Sequence, residues 1–161
     1  MKKLVVVFTF CMLLIASTCF AVIGVCTQSA LADKNGNHTT VTLTCTSGTA
    51  GDAGTFPDTS ISTVLTGYIQ GWYLDLVEVV PSAVTAPTNA FDLTFVNSLG
   101  RDILGGMGAD LSNTVKSAIT PKRDTVTSLY GGVWADTTMT QKVTGNSVAS
   151  SIVIFRYHFT K

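Results

Sequence analysis

Alternation with a period of two runs through most of this chain. From Thr40 to Thr46 the odd positions are Val41, Leu43 and Cys45, and every even one is threonine. That is the pattern of a strand with one buried face, and it points Cys45 inward. Ser60 to Thr66 reads as a second strand. Gly67 to Val80 is the longest strand candidate, and its phase slips: Trp72, Leu74 and Leu76 share one face, then Val77 and Val79 take over with Glu78 outward. A slip of one residue flips every later side chain, so a single buried face predicts a β-bulge near Leu76-Val77. Pro81 ends this strand, and Ser82 to Asn89 forms the connection.

Phe91 to Phe95 alternates again, and a hairpin with the preceding strand would set Val79 opposite Phe91 and Val77 opposite Leu93. After a short Arg101 to Leu104 segment, Gly105-Gly106-Met107-Gly108 is too glycine-rich for regular structure. Asp110 to Val115 is predicted as one helical turn, and Pro121 to Asp124 as a turn. Leu129 to Ala135 and Thr137 to Val143 read as strands, and Gly145-Asn146 as a tight turn. The last strand, Ser150 to Phe159, places Val153, Phe155, Tyr157 and Phe159 on one face. The expected fold is all-β, an antiparallel β-sandwich or jelly roll of about seven or eight short strands after an N-terminal signal or anchor helix.

The N-terminus has a different character. Lys2 and Lys3 precede an uncharged run from Leu4 to Gln28, the order of a secretory signal. Ala30-Leu31-Ala32 before Asp33 fits the small-residue rule for cleavage, which divides the chain into a signal peptide, 1–32, and a single sandwich domain, 33–161. Cleavage after Ala21, at Cys19-Phe20-Ala21, is the alternative. So is an uncleaved anchor, because the 23 residues from Leu4 to Cys26 would span a bilayer as a helix. Each version exports the domain to the periplasm, the cell surface or the medium.

Processing after Ala32 changes the charge and the cysteine chemistry. Ten basic and ten acidic side chains become 8 against 10 once Lys2 and Lys3 leave, a net charge near −2. That supplies no basic field for nucleic acid. Cys11, Cys19 and Cys26 leave as well, so Cys45 is expected as a lone, buried thiol without a disulfide. Membrane contact is expected only through an uncleaved N-terminal segment.

Candidate chemistry is sparse. Glu78 and Asp92 would oppose each other on the outer face of the expected hairpin, where solvated, mildly repelling carboxylates are the plainer reading. Asp33-Lys34-Asn35-Gly36-Asn37 begins like a calcium loop, but His38 stands at the glycine position and Thr44 at the last ligand. It reads instead as a flexible start to the mature chain, with Asn37-His38-Thr39 as a glycosylation sequon. His38 falls in that leader and His158 on the polar face of the last strand beside Arg156. No nucleophile elbow, metal-spaced His/Cys set or phosphate loop is present. No residue is therefore assigned a catalytic, cofactor-binding or metal-ligating role, and no cofactor is expected.

The run Pro87-Thr88-Asn89-Ala90-Phe91-Asp92-Leu93-Thr94-Phe95 leads through Gly100-Arg101-Asp102-Ile103-Leu104-Gly105-Gly106-Met107-Gly108 to Leu111-Ser112-Asn113-Thr114. This resembles small, largely uncharacterised all-β proteins encoded among bacteriophage virion genes, in which a P-T-x-x-Y/F-D-I/L-x-L strand precedes a G-x-D-I/V-L-G-G-x-G turn. The resemblance implies a structural or assembly role, and the secretion signal is a departure from it. Low charge, about one residue in seven after Ala32, also favours self-association or binding to another protein. Tyr68, Tyr73, Tyr130 and Trp134 are candidate surface aromatics. The competing expectation is an exported ligand- or surface-binding module, which would gather those aromatics with polar groups in one concave site. A hydrolase ranks third, behind both non-enzymatic readings.

Overall fold

The computed structural model describes residues 22–49, 54–124 and 129–161. Residues 1–21 of the expected signal or anchor segment, 1–32, lie outside them. The fold is all-β. Its six longer strands are β1 (Val25–Ala32), β2 (His38–Thr46), β4 (Tyr73–Pro81), β5 (Asp92–Asn97), β10 (Met139–Thr144) and β11 (Ile152–Thr160). Shorter ones are β3 (Thr59–Ser60), β6 (Ser117–Ile119), β7 (Lys122–Asp124), β8 (Leu129–Tyr130) and β9 (Val133–Trp134), with one helix among the described residues, α1 (Thr63–Ile69). The larger sheet runs β1-β2-β11-β4-β6, with β9 also on β4; the smaller runs β3-β10-β5, and β7 pairs with β8. Every pairing is antiparallel.

The two sheets share one core. The alternation in β2 and β11 buries Val41, Leu43, Cys45, Val153, Phe155, Tyr157 and Phe159 completely. The smaller sheet covers them with Phe95, which stacks on Tyr157 at 4.3 Å, and with Met139 and Val143. Gln141 of β10 is the one amide in this core. Its Oε1 accepts from the Tyr157 hydroxyl at 2.7 Å, and its Nε2 donates to Cys45 Sγ at 3.3 Å. Burial pushes the Tyr157 phenol well above its usual pKa, and the Asp102 carboxylate adds to that. The phenol therefore stays a neutral donor.

The bulge in β4 is present. His158 pairs with Leu76 and Phe159 with Leu74, so Asp75 is the extra residue. It lets Leu74 and Val77, three positions apart, both be fully buried.

Several expectations are corrected. β4 and β5 are not a hairpin: they lie in different sheets, and the connection crosses between them. The Ser82 hydroxyl turns this connection, and Asn146 Oδ1 ties Thr88 N–H to the β10–β11 loop. Alternation reports burial, and strands facing each other across a core bury the same positions as paired ones. Residues 63–69 form α1, not a strand. Ser62 caps it by accepting from Leu65 N–H, and Leu65, Ile69 and Trp72 turn toward the core at helical spacing. Asp110 to Val115 is not helical; the Ser112 hydroxyl accepts from Thr114 and Val115 N–H in a side-chain turn.

The most consequential correction concerns Cys45, which is joined to Cys26 by a disulfide. Val22 to Ala32 belongs to the folded body: β1 pairs with β2 along its whole length and sets Cys26 opposite Cys45. Gln28 fastens this edge to the other sheet, donating to Ser60 C=O and accepting from Ser62 N–H. Asp33 to Asn37 is accordingly a hairpin turn rather than a loose leader, with the Asp33 carboxylate accepting from Asn37 and His38 N–H. His38 lies in β2, half-buried, with its ring 5.5 Å from that of His158.

A cross-link spanning 19 residues restricts the unfolded chain, a constraint worth about 3 kcal/mol. Reduction, or Cys26→Ser, is expected to lower the free energy of unfolding by about that amount, read from urea curves with and without reductant. Superimposable curves would mean that the cross-link contributes nothing.

Candidate functional site

The short strand β9 lies against the start of β4 and pairs Trp134 with Tyr73. The rings meet edge to face, centroids 5.0 Å apart and planes at 86°, the arrangement that aromatic quadrupoles favour. Both face solvent, Trp134 at 57% and Tyr73 at 38% exposure. Gly132 permits this approach: a Cβ there would sit 2.6 Å from Asp75 Oδ1 and 2.8 Å from Tyr73 Cβ. Only glycine lets β9 lie this close.

The facing wall comes from the loop that follows β5. Its organiser is Asp102, whose carboxylate accepts N–H groups from Phe95 at 3.0 Å, Leu104 at 3.1 Å and Gly106 at 2.9 Å. Leu104 is thereby buried, and its carbonyl accepts from Lys122 N–H. Gly105, at φ 64°, passes so near β7 that a Cβ would fall 2.4 Å from the Lys122 carbonyl oxygen. The Gly100 to Gly108 segment is thus a bracket that carries Arg101 and holds Lys122 and Arg123 of β7. Asp136 closes the rim, accepting from Ser98 Oγ and from the N–H groups of Ser98 and Thr137. The Ser98 hydroxyl, then the Thr137 N–H, hold its carboxyl below the ordinary aspartate pKa, so it is charged at neutral pH.

Between these walls lies an open recess of about 400 Å³, bounded by Tyr73, Trp134, Arg101, Asp102, Lys122 and Arg123 among others. Its two carboxylates are occupied by donors from the protein. Its cations are not so engaged: among the described residues Arg101, Lys122 and Arg123 make no salt bridge. Lys122 Nζ sits 6.0 Å from the Tyr130 ring centroid, which brings a third aromatic to the margin.

The four expected surface aromatics are therefore divided. Tyr73 and Trp134 meet in the recess and Tyr130 flanks it through Lys122. Tyr68, on α1, lines a separate, more apolar hollow with Leu65, Trp72, Ala30 and Ala32. Arg101, Asp102, Lys122, Arg123 and Asp136 were not anticipated. The sequence sign that points to them is Gly131-Gly132 before Val133-Trp134, a backbone made for close approach.

Glu78 and Asp92 are not a pair, because their strands belong to different sheets. Asp92 accepts from Asp110 N–H at 2.9 Å. Glu78, on the outer face of the large sheet, binds Lys116 Nζ at 2.8 Å and Arg156 Nη1 at 3.2 Å. His158 stands beside them, its Nδ1 3.1 Å from Thr40 Oγ1 and its shielded Nε2 without a hydrogen-bond partner, 3.9 Å from Glu78 Oε2. A hydroxyl, an imidazole and a carboxylate in this order have the composition of a nucleophile relay. Glu78 is committed to two cations, however, and none of these residues lines either recess described above. Among the described residues no group of three His, Cys, Asp or Glu side chains is arranged to hold a metal ion.

Comparison with protein-family models, with characterised proteins and with solved structures returns no match.

The Glu78 cluster makes stability depend on pH. Burial lowers the His158 pKa below its usual 6.5; Glu78 opposes that, while His38, Arg156 and Lys116 reinforce it. The unfolded chain thus takes the proton first, and stability falls as pH drops below about 6.5. The Glu78 pKa is lowered from 4.5, chiefly by Lys116 and also by Arg156, so its contribution is full above 4.5 and is lost in more acid solution. Urea midpoints between pH 2 and 8 should decline in two stages. His158→Asn should remove the upper stage, and Glu78→Gln the lower. A wild-type profile flat between pH 5 and 7 would contradict this.

Proposed function

We propose that this protein is an exported binding module, and that its ligand enters the recess between the Tyr73–Trp134 pair and the Arg101 to Gly108 bracket. The observation that carries this reading is the pair itself. Two large aromatic rings held at the surface by a glycine-dependent contact, at the mouth of a recess rimmed with polar groups, supply the apolar face and the orienting groups that ligand sites combine. Filling a core would have buried them. The site is preorganised, because Asp102 and Asp136 are locked by hydrogen bonds to the protein, so little ordering cost falls on binding.

The export half of the proposal rests on Lys2-Lys3 and the apolar run, now joined by the disulfide, a bond that persists in oxidising compartments. It also moves the processing site. Removal of β1 would take away Cys26 and the Gln28 fastening, so cleavage belongs after Ala21, leaving Val22 as the first residue. Val22 N–H donates to Thr49 Oγ1 and its carbonyl accepts from Thr49 N–H. Intact mass of protein secreted by an expressing bacterium should match a chain beginning at Val22 with Cys26 and Cys45 joined. A chain beginning at Asp33 would overturn this.

A structural or assembly role, of the kind the phage-virion resemblance implies, is the second reading. One observation favours it: among the described residues β1 is an edge strand with its outer side unpaired, and Val25 and Leu31 are exposed at 56% and 76%. Such an edge can accept a strand from another copy. One preparation tests both readings. A binding module should be monomeric by light scattering at high micromolar concentration and should bind components of a glycan or peptide array. Trp134→Ala should weaken that binding about tenfold, or ~1.4 kcal/mol, with folding retained. Concentration-dependent assembly abolished by Leu31→Lys, with no array binding, would replace the first reading by the second.

A further inference from the structure

We infer that the recess recognises a sugar unit bearing a negative charge, a carboxylated or sulfated saccharide such as a uronic acid within a polymer; the inference rests on the binding-module reading above. Its first support is the asymmetry of satisfaction among the charged groups. Asp136 is saturated, each carboxylate oxygen accepting from both a backbone N–H and a hydroxyl of Ser98 or Thr137. Asp102 accepts three N–H groups. Both carboxylates are thus spent on holding the walls. Arg101, Lys122 and Arg123 line the same space with no salt bridge among the described residues. Among the described residues, the unspent charged groups of the recess are therefore the cations. A planar guanidinium suits a carboxylate or sulfate geometrically, since its fork offers two parallel N–H groups.

The second support is the platform. Trp134 is the most exposed ring at the recess, and it stands edge to face with Tyr73, which fixes its plane. A flat ring beside cations is built for a ligand with an apolar face and a charged edge, the two-sided character of a pyranose carrying an acid group. The volume, about 400 Å³, suits one or two such rings. A densely charged strand of nucleic acid would also meet cations and aromatics. Against it stands the low content of basic residues, 10 Lys and Arg in 161.

The test is calorimetric titration of the full exported protein with three probes: oligogalacturonides, neutral malto-oligosaccharides and oligothymidylate. Oligogalacturonide binding is expected to weaken as salt rises. It should fall at least tenfold in the double variant Arg101→Ala/Arg123→Ala, and also in Trp134→Ala. Thermal unfolding of each variant should stay close to wild type, and the conservative Arg101→Lys/Arg123→Lys should restore part of the affinity. Equal binding of the neutral sugars, unaffected by the arginine changes but lost with Trp134, would overturn the charge requirement and leave the binding module standing. Preference for oligothymidylate would overturn the saccharide assignment. Failure of all three probes, together with a silent array, would remove both this inference and the reading beneath it.

Discussion

The extra residue in β4 is the constraint on which the rest of this structure turns. Leu74 and Val77 are both completely buried although their spacing would put them on opposite faces of a regular strand. Inserting Asp75 resolves the conflict, and it also decides where Tyr73 goes. With Leu74 inward, Tyr73 faces out on the side that β9 approaches, and Trp134 meets it there. Asp75 is itself held by the Thr160 hydroxyl, so the displaced residue is fixed to the neighbouring strand. Burial of two aliphatic side chains thus sets the position of an aromatic pair that burial alone would have hidden.

The polar interior follows a similar economy. Gln141 carries a complete hydrogen-bond capacity into an otherwise apolar layer, and it is answered by Tyr157 from the opposing sheet. An unanswered amide at that depth would cost about 1–3 kcal/mol. The pair therefore joins the two sheets while satisfying both buried groups. Glu78 on the outside works differently. Its two cations and the half-shielded His158 tie β4, β6 and β11 together across the sheet, and exposure of Lys116 and Arg156 at 51% and 39% keeps each contact weak.

The Pro87 to Thr114 stretch has a definite mechanical part in this molecule. Its strand is β5, and its aspartate, Asp102, gathers three backbone N–H groups to turn the chain back over that strand. Its glycines let the loop itself press against the backbones of β7 and β5: a Cβ would fall 2.4 Å from the Lys122 carbonyl oxygen at Gly105 and 2.1 Å from the Leu93 carbonyl oxygen at Gly108. The motif is a packing device, and the residues bordering it, Arg101 and those of β7, give the recess its charge.

What the sequence determined by itself was the all-β class, the inward phase of β2 and β11, and the bulge, because each depends on which side chains must leave water. Alternation read through Val41-Leu43-Cys45 and Val153-Phe155-Tyr157-Phe159 is a direct record of that requirement. Which strands pair was decided only in three dimensions: β4 and β5 bury matching positions whether they lie side by side or face to face. So was the helix at Thr63–Ile69, where residues of high strand preference gave way to the need to bring Leu65 and Ile69 against the core. The point where the apolar N-terminal run gives way to the folded domain was hidden for a related reason. Apolar residues of an edge strand and of a secretion signal look alike until β2 is there to pair with one of them. The recess itself was decided in three dimensions, since Tyr73, Arg101, Lys122 and Trp134 lie far apart along the chain, and a bulge, a glycine contact and a bracket loop bring them together.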